Sequence, residues 1–221
     1  MNKQGNDKIQ WAEWTWNPAS GCLNTCEYCY ARKIAMRFRG HFFPEFWPGR
    51  LKQVYELKKP SRIFVGSASD TWGPWVPEEW INKVMKVVTD NPRHTFMFLT
   101  KYPAGYGRID EFPDNAWIGV TPTEKQTLND VSVFNTTKSK VKFLSIEPLM
   151  TNKRTMFDQL INPPDWVIVG GLTPSPPVHE ERWVTDIVER YHKDNIPVFL
   201  KKNLKYPHVI QEMPKGYKKG V

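Results

Sequence analysis

The sequence predicts an α/β fold, an incomplete TIM-type parallel β/α barrel of about six to seven strands. Three observations carry this reading. Apolar, β-branched or aromatic runs of about five residues recur at 11–16, 62–66, 95–99, 117–120, 142–146, 166–170 and 197–200. Several are nearly continuous in apolar character, which suits strands buried on both faces of a parallel sheet. Helical patterns separate many of them, and such alternation winds right-handed into a parallel layer. Seven strands exceed half a barrel.

The elements follow in order. The N-terminus, from Met1 to Lys8, is polar and has no apolar h-region, so no signal peptide is expected. The first strand, 11–16, leads into a cysteine loop, and Cys29 to Arg39 is expected to be the helix after it. Residues 41–60, beginning His41-Phe42-Phe43-Pro44, fit no clean helix and read as an aromatic, proline-punctuated insertion. Pro77 stands at an expected first helical position, followed by Trp80, Ile81, Val84, Met85 and Val88 at helical spacing. Trp183, Val184, Ile187, Val188 and Tyr191 repeat that pattern before the last strand. The segment 203–221 reads as an irregular basic extension. No long linker or internal repeat divides the chain, so one domain over 1–221 is expected.

Composition narrows the function classes. A hydrophobic content of 40% supports a sizeable core, and no apolar run of eighteen residues marks a transmembrane helix. The formal net charge is +8. Residues 201–221 hold six lysines (Lys201, Lys202, Lys205, Lys215, Lys218, Lys219) against the single acid Glu212. Basic surfaces attract polyanions, although the same charge also serves solubility. Ten tryptophans provide faces on which bases stack, but most are expected in packing.

The three cysteines all lie in one stretch, Cys22-Leu23-Asn24-Thr25-Cys26-Glu27-Tyr28-Cys29. This C-x₃-C-x₂-C spacing lets three thiolates hold three irons of a [4Fe–4S] cluster. A cluster held wholly by protein needs a fourth cysteine, and the chain has none. The fourth iron is then open to a small molecule. A structural zinc site is the plainer alternative. Such sites pair two cysteine hooks or end in H-x₃₋₅-H, and no histidine lies within ten residues of Cys29. A disulfide framework fits an odd cysteine count poorly. A reduced, cytoplasmic setting is expected.

C-x₃-C-x-aromatic-C, with Tyr28 in the aromatic slot, resembles the cluster loop of the radical S-adenosylmethionine (radical-SAM) enzymes. Further blocks extend the resemblance over nearly the whole chain. They are Trp14-Thr15-Trp16-Asn17-Pro18, Ile63 to Asp70, Phe98-Leu99-Thr100-Lys101, Phe143 to Leu149 and Asp165 to Gly171. Together these are similar to a small, often phage-encoded subfamily of radical-SAM-like proteins. The motifs specify no substrate.

The resemblance implies a partial barrel, a [4Fe–4S] cluster on Cys22, Cys26 and Cys29, and S-adenosylmethionine (SAM) chelated to the open iron. It implies reductive cleavage of SAM and hydrogen abstraction from substrate, with an electron donor such as flavodoxin or ferredoxin as partner and no membrane. In a parallel barrel, ligands meet the carboxyl ends of the strands. Residues just past those ends are therefore the candidates. Tyr28, Gly66, Ser67, Ser69, Thr121, Gly170 and Gly171 are expected to contact SAM. The family often has G-G-E where this chain has Gly66-Ser67-Ala68-Ser69. Asp70, Lys101, Glu147 and Lys201 are expected to bind SAM or substrate, with a Lys101–Glu147 ion pair as an alternative role for those two.

With all three thiols on the cluster, no auxiliary cluster, cysteine hydrogen donor or methyl-cysteine is available. The leading function is a radical-SAM enzyme, of lyase or isomerase type, acting on a nucleobase-type substrate. That substrate is a free modified base, a nucleotide, or a base in nucleic acid, and the outcome is bond cleavage or rearrangement. Two alternatives stand beside it: a nucleic-acid-binding module with a structural metal, and an activating enzyme for a protein partner. A polymer bound through the lysine tail loses affinity steeply with salt, whereas a small base barely responds.

Overall fold

The strand runs alternate between two apolar layers, and this alternation sets the architecture. Ile63, Val65, Phe96, Phe98, Ile118, Leu144, Val167 and Val198 belong to an outer cluster shared with the helices. Their neighbours Phe64, Met97, Trp117, Phe143, Trp166 and Phe199 belong to an inner, largely aromatic cluster. Both faces are therefore buried, which explains the continuous apolar runs.

The computed structural model describes residues 1–5, 8–173 and 178–214. In chain order, the strands are β1 (Asn2–Lys3), β2 (Trp14–Trp16), β3 (Ala19–Ser20), β4 (Glu45–Phe46), β5 (Arg62–Val65), β6 (Thr95–Thr100), β7 (Ala116–Val120), β8 (Lys142–Ile146), β9 (Trp166–Val169) and β10 (Val198–Leu200). The helices are α1 (Tyr30–Arg39), α2 (Lys52–Tyr55), α3 (Glu78–Asp90), α4 (Leu128–Thr136), α5 (Met156–Leu160) and α6 (Glu181–Lys193).

One sheet runs β1-β2-β5-β6-β7-β8-β9-β10. Every pairing from β2 to β10 is parallel, with registers such as Trp16↔Val65, Val65↔Phe98 and Thr100↔Val120. Among the described strands of this sheet, β1 is the one that pairs antiparallel. The sheet ends at β1 and β10 without joining them, so the fold is an incomplete TIM-type barrel. The seven parallel strands coincide with the seven runs read from sequence.

Trp11 plugs the inner layer, with ring centroids 4.7 Å from Phe64 and 6.5 Å from Trp166. Gly119 makes room for the Phe143 ring, which a Cβ there would meet at 2.3 Å. These bulky groups fill the interior, and the polar strand ends are left around an open mouth.

Several boundaries differ from expectation. The first strand begins at Trp14, because Ala12 N–H turns back to Ile9 O. Pro77 is the N-cap of α3, in extended conformation, rather than its first helical residue. Trp80 and Trp183 are half-buried at the rim of the outer layer. The 41–60 segment includes β4, a 3₁₀ turn at Pro48–Arg50, and α2. Strands β3 and β4 pair antiparallel, and Phe46 stacks on Trp80 at 5.3 Å, tying the segment to α3.

The expected irregular extension is regular over 210–212, which run antiparallel beside β10. Leu200 N–H donates to Ile210 O at 2.7 Å and Glu212 N–H to Val198 O at 3.1 Å. Ile210 and Met213 provide the apolar contacts that hold it. Lys215, Lys218 and Lys219 lie outside the described residues. Among the described residues, no helix is long and apolar enough to cross a membrane.

Candidate functional site

The cysteine loop is pinned at both ends. Gly21 enters it at φ +89°, where a Cβ would lie 1.9 Å from Phe43 O. Only glycine passes this point without displacing backbone. Gly21 N–H donates to Ala68 O at 2.9 Å and Cys22 N–H to Phe42 O at 3.0 Å. At the far end Cys29 caps α1, its Sγ accepting the Arg32 N–H at 3.3 Å. Cys22 Sγ accepts the Asn24 N–H at the same distance. The Arg32 guanidinium donates to Cys22 O at 3.2 Å and Asn24 O at 2.5 Å, and lies 5.2 Å from the Phe42 ring centre.

Burial pushes the Cys22 thiol up to about 12, against the Asn24 hydrogen bond. Among the described residues, no three His, Cys, Asp or Glu side chains gather at one point as a single metal ion requires. The three cysteines instead share the wall of one cavity.

Facing them is the turn after β5. Gly66 adopts φ +81°, and a Cβ would meet Thr71 Oγ1 at 2.8 Å. Asn17 Oδ1 accepts the Ala68 N–H at 2.9 Å, and the Asn17 amide lies 3.0 Å from Ser67 Oγ. Tyr30 donates its hydroxyl to Ser67 O at 2.8 Å. Ser69 Oγ is buried without a hydrogen-bond partner, yet Ser69 lines the cavity. Asp70 is buried and accepts from Thr100 Oγ1 at 2.7 Å, Lys101 N at 3.0 Å and Trp72 N at 3.1 Å. Burial pushes its pKa up, and these bonds oppose the rise.

The remaining wall comes from later strand ends. Lys101 Nζ sits 5.6 Å from the Tyr28 ring centre. Burial pushes the Tyr28 phenol up, and Lys101 opposes this. Glu147 pairs with Lys201 at 2.6 Å, so the alternative Lys101–Glu147 pair does not form. Lys201 follows β10 directly. Trp11 Nε1 and Ser145 Oγ also donate to Glu147, each at 3.2 Å. Gly171 exchanges two hydrogen bonds with the Asn203 amide, at 3.1 and 2.7 Å.

These residues surround a cavity of about 280 Å³ at the mouth of the barrel. Cys22, Cys26, Tyr28, Cys29, Gly66, Ser67, Ser69, Asp70, Lys101, Thr121, Glu147, Gly171 and Lys201 all line it. Gly170 does not; it backs Glu147, and a Cβ there would stand 2.7 Å from Glu147 Oε2. Sequence reasoning missed Asn17, Arg32, Trp11 and Asn203. Three of them act on backbone groups, which no residue spacing reveals. Trp11 was visible only as an apolar strand residue.

A family profile described as "Protein of unknown function (DUF5131)" matches residues 6–218. The chain belongs to this family. No curated protein matches it. Among solved structures it is similar to spore photoproduct lyase. A mutant of that enzyme superposes with a TM-score of 0.59 at 11% identity, covering 86% of this chain and 76% of that one. Another mutant, with bound AdoMet and dinucleoside spore photoproduct, gives 0.53 at 12%, covering 82% and 62%. The lyase complexed with dinucleoside spore photoproduct gives 0.54 at 13%, with the same coverage. The chain thus spans about three fifths of the length of these ligand-bound chains. At such identities the likeness is one of fold.

Proposed function

We propose that this member of the DUF5131 family is a radical-SAM enzyme acting on a nucleobase-type substrate. The observation that carries the reading is one cavity in which all three cysteines face polar strand-end residues. Its donor set fits the cofactors. Two cysteine sulfurs accept backbone N–H groups, which stabilise thiolate. The unpartnered Ser69 hydroxyl and the close backbone turn at Gly66 offer hydrogen-bonding groups to a ligand. The fold is shared with a lyase whose structure carries AdoMet and a dinucleoside photoproduct, which supports both halves of the reading.

In this reading Cys22, Cys26 and Cys29 hold the cluster. Ser69 and the Gly66–Ser67 backbone bind the SAM amino acid end, while Tyr28, Thr121 and Gly171 face its nucleoside. Glu147, held by Lys201, Trp11 and Ser145, orients ribose or substrate hydroxyls. Lys101 screens the mouth and can pair with a carboxylate or phosphate. Trp11, Phe64 and Leu99 give the floor its apolar surface and exclude water. When bound, the cluster and SAM supply one-electron cleavage of the sulfonium C–S bond and hydrogen abstraction. A cysteine hydrogen donor is unavailable once the three thiols are committed.

The test is anaerobic reconstitution with iron and sulfide, followed by mass spectrometry for 5′-deoxyadenosine after addition of SAM and a strong reductant. The expected result is product from the native chain and none from Cys26→Ala. Deuterium carried from a labelled nucleoside or oligonucleotide into that product would identify the substrate class. A protein with a full cluster that never yields 5′-deoxyadenosine overturns the reading.

A further inference from the structure

The cavity opens sideways into a groove of about 990 Å³ along the unclosed side of the barrel. One wall is α1. That helix turns only the small Ala31 and Ala35 inward. Tyr30, Ile34 and Phe38, at i, i+4 and i+8, form an apolar stripe along the groove and are 51%, 53% and 75% exposed. At 1.5 Å per residue the stripe is about 12 Å long. It begins at the cavity mouth, since Tyr30 lines both spaces.

The electrostatics are one-sided. Among the described residues, the groove lining includes Lys8, Arg39, Arg50, Lys201 and Lys202 and no Asp or Glu. Arg39 is paired with Glu45, and Lys201 with Glu147. Arg50 is held by the Asn17 carbonyl and the Trp47 ring. Lys8 and Lys202 are exposed. Helix α1 itself contains Arg32, Lys33, Arg37 and Arg39 and no acid.

We propose that this groove docks a single-stranded nucleic acid and delivers one base into the cysteine-lined cavity. The proposal deepens the function above and rests on it for the chemistry, though not for the binding. Flat and apolar side chains in series offer stacking surfaces to successive bases, and cations beside them track the phosphates. An acidic or purely apolar partner meets only one of these features. A base inside a duplex cannot reach a recessed cavity, so the strand must arrive single or be flipped out.

The experiment measures anisotropy of fluorescein-labelled oligodeoxyuridylate and oligouridylate, one base on the two sugars, about 12 nucleotides long, with a duplex of equal length as comparison. The full-length native protein, Phe38→Ala and Lys202→Glu are titrated. At least one single strand is expected to bind more tightly than duplex; which one identifies the sugar. Two or three contacted phosphates predict a roughly tenfold affinity loss between about 50 and 200 mM salt. Each variant is expected to weaken binding several-fold with an unchanged melting temperature, because both side chains are exposed.

Equal binding of duplex, absence of salt dependence, or full affinity in both variants overturns the proposal. So does a native dimer that Phe38→Ala dissociates without affecting oligonucleotide binding, since a second copy would then fill the groove. 5′-Deoxyadenosine formation separates the two claims. Oligonucleotide binding by a protein with a full cluster that cleaves no SAM supports the groove and sinks the radical-SAM reading. SAM cleavage with free nucleosides and no oligonucleotide binding does the reverse.

Discussion

His94 is 1% exposed, with Nε2 3.2 Å from Leu57 O. In the neutral ring Nε2 carries the proton and donates, while Nδ1 is buried without a partner. Protonating Nδ1 would add a second buried N–H with no acceptor. Burial is the larger cause and nearby Arg93 adds to it; together they push the His94 pKa below 6.5. The unfolded chain then binds the proton more readily than the fold does. Stability is full above the ordinary histidine pKa and falls as pH drops through it. Denaturant titrations from about pH 7.5 to 5 are expected to show that slope, and His94→Gln is expected to flatten it. Asp70 poses the opposite case, a buried carboxyl whose three donors come from the last residue of β6 and from the loops after β5 and β6. Asp70→Ala orphans them and is expected to cost about 3 kcal/mol or more by chemical denaturation. Asp70→Asn keeps an acceptor and should cost less.

The cysteine loop depends on an element whose role is absent from any hydrophobic pattern. Strands β3 and β4 are two residues each. Their pairing brings the Phe42–Phe43 backbone against Gly21 and Cys22. Gly21→Ala combines a positive-φ strain with a backbone collision, and a loss of at least about 1–3 kcal/mol is expected. Iron content after reconstitution should fall with it, whereas Gly49→Ala, which meets nothing within 4 Å, should leave both unchanged. The seven long runs were legible because burial on both faces leaves an unbroken apolar signature. The β3–β4 pair was not, because Ala19-Ser20 and Glu45-Phe46 have no periodicity to read. Strand β1 was hidden likewise, with two exposed polar residues, Asn2 and Lys3, paired only through their backbone. The site followed the same division. Strand-end polar residues could be listed from the barrel rule, but Asn17, Arg32 and Asn203 hold the cavity through carbonyl and amide groups that any residue possesses.

At the scale of the molecule, an incomplete barrel must manage two edges and a gap. Strand β1 covers the outer edge of β2, and residues 210–212 cover that of β10. Covered edges resist pairing with other chains. Polar ties span the gap at the mouth. Lys202 N–H donates to Gln10 Oε1 at 2.8 Å. Glu147, after β8, joins Lys201, after β10, and Trp11, before β2. The Glu147–Lys201 side chains are only 19% and 16% exposed, so each charge is largely desolvated. Removing one partner leaves the other uncompensated; replacing both with neutral groups does not. Glu147→Gln and Lys201→Met are each expected to cost about 2–4 kcal/mol. The double variant should cost clearly less than their sum, with a coupling of about 1 kcal/mol or more. Urea denaturation of the four proteins measures it. Additive losses would mean the pair does not brace the mouth. A double variant that regains stability but fails to bind SAM or substrate would assign the pair a ligand role as well.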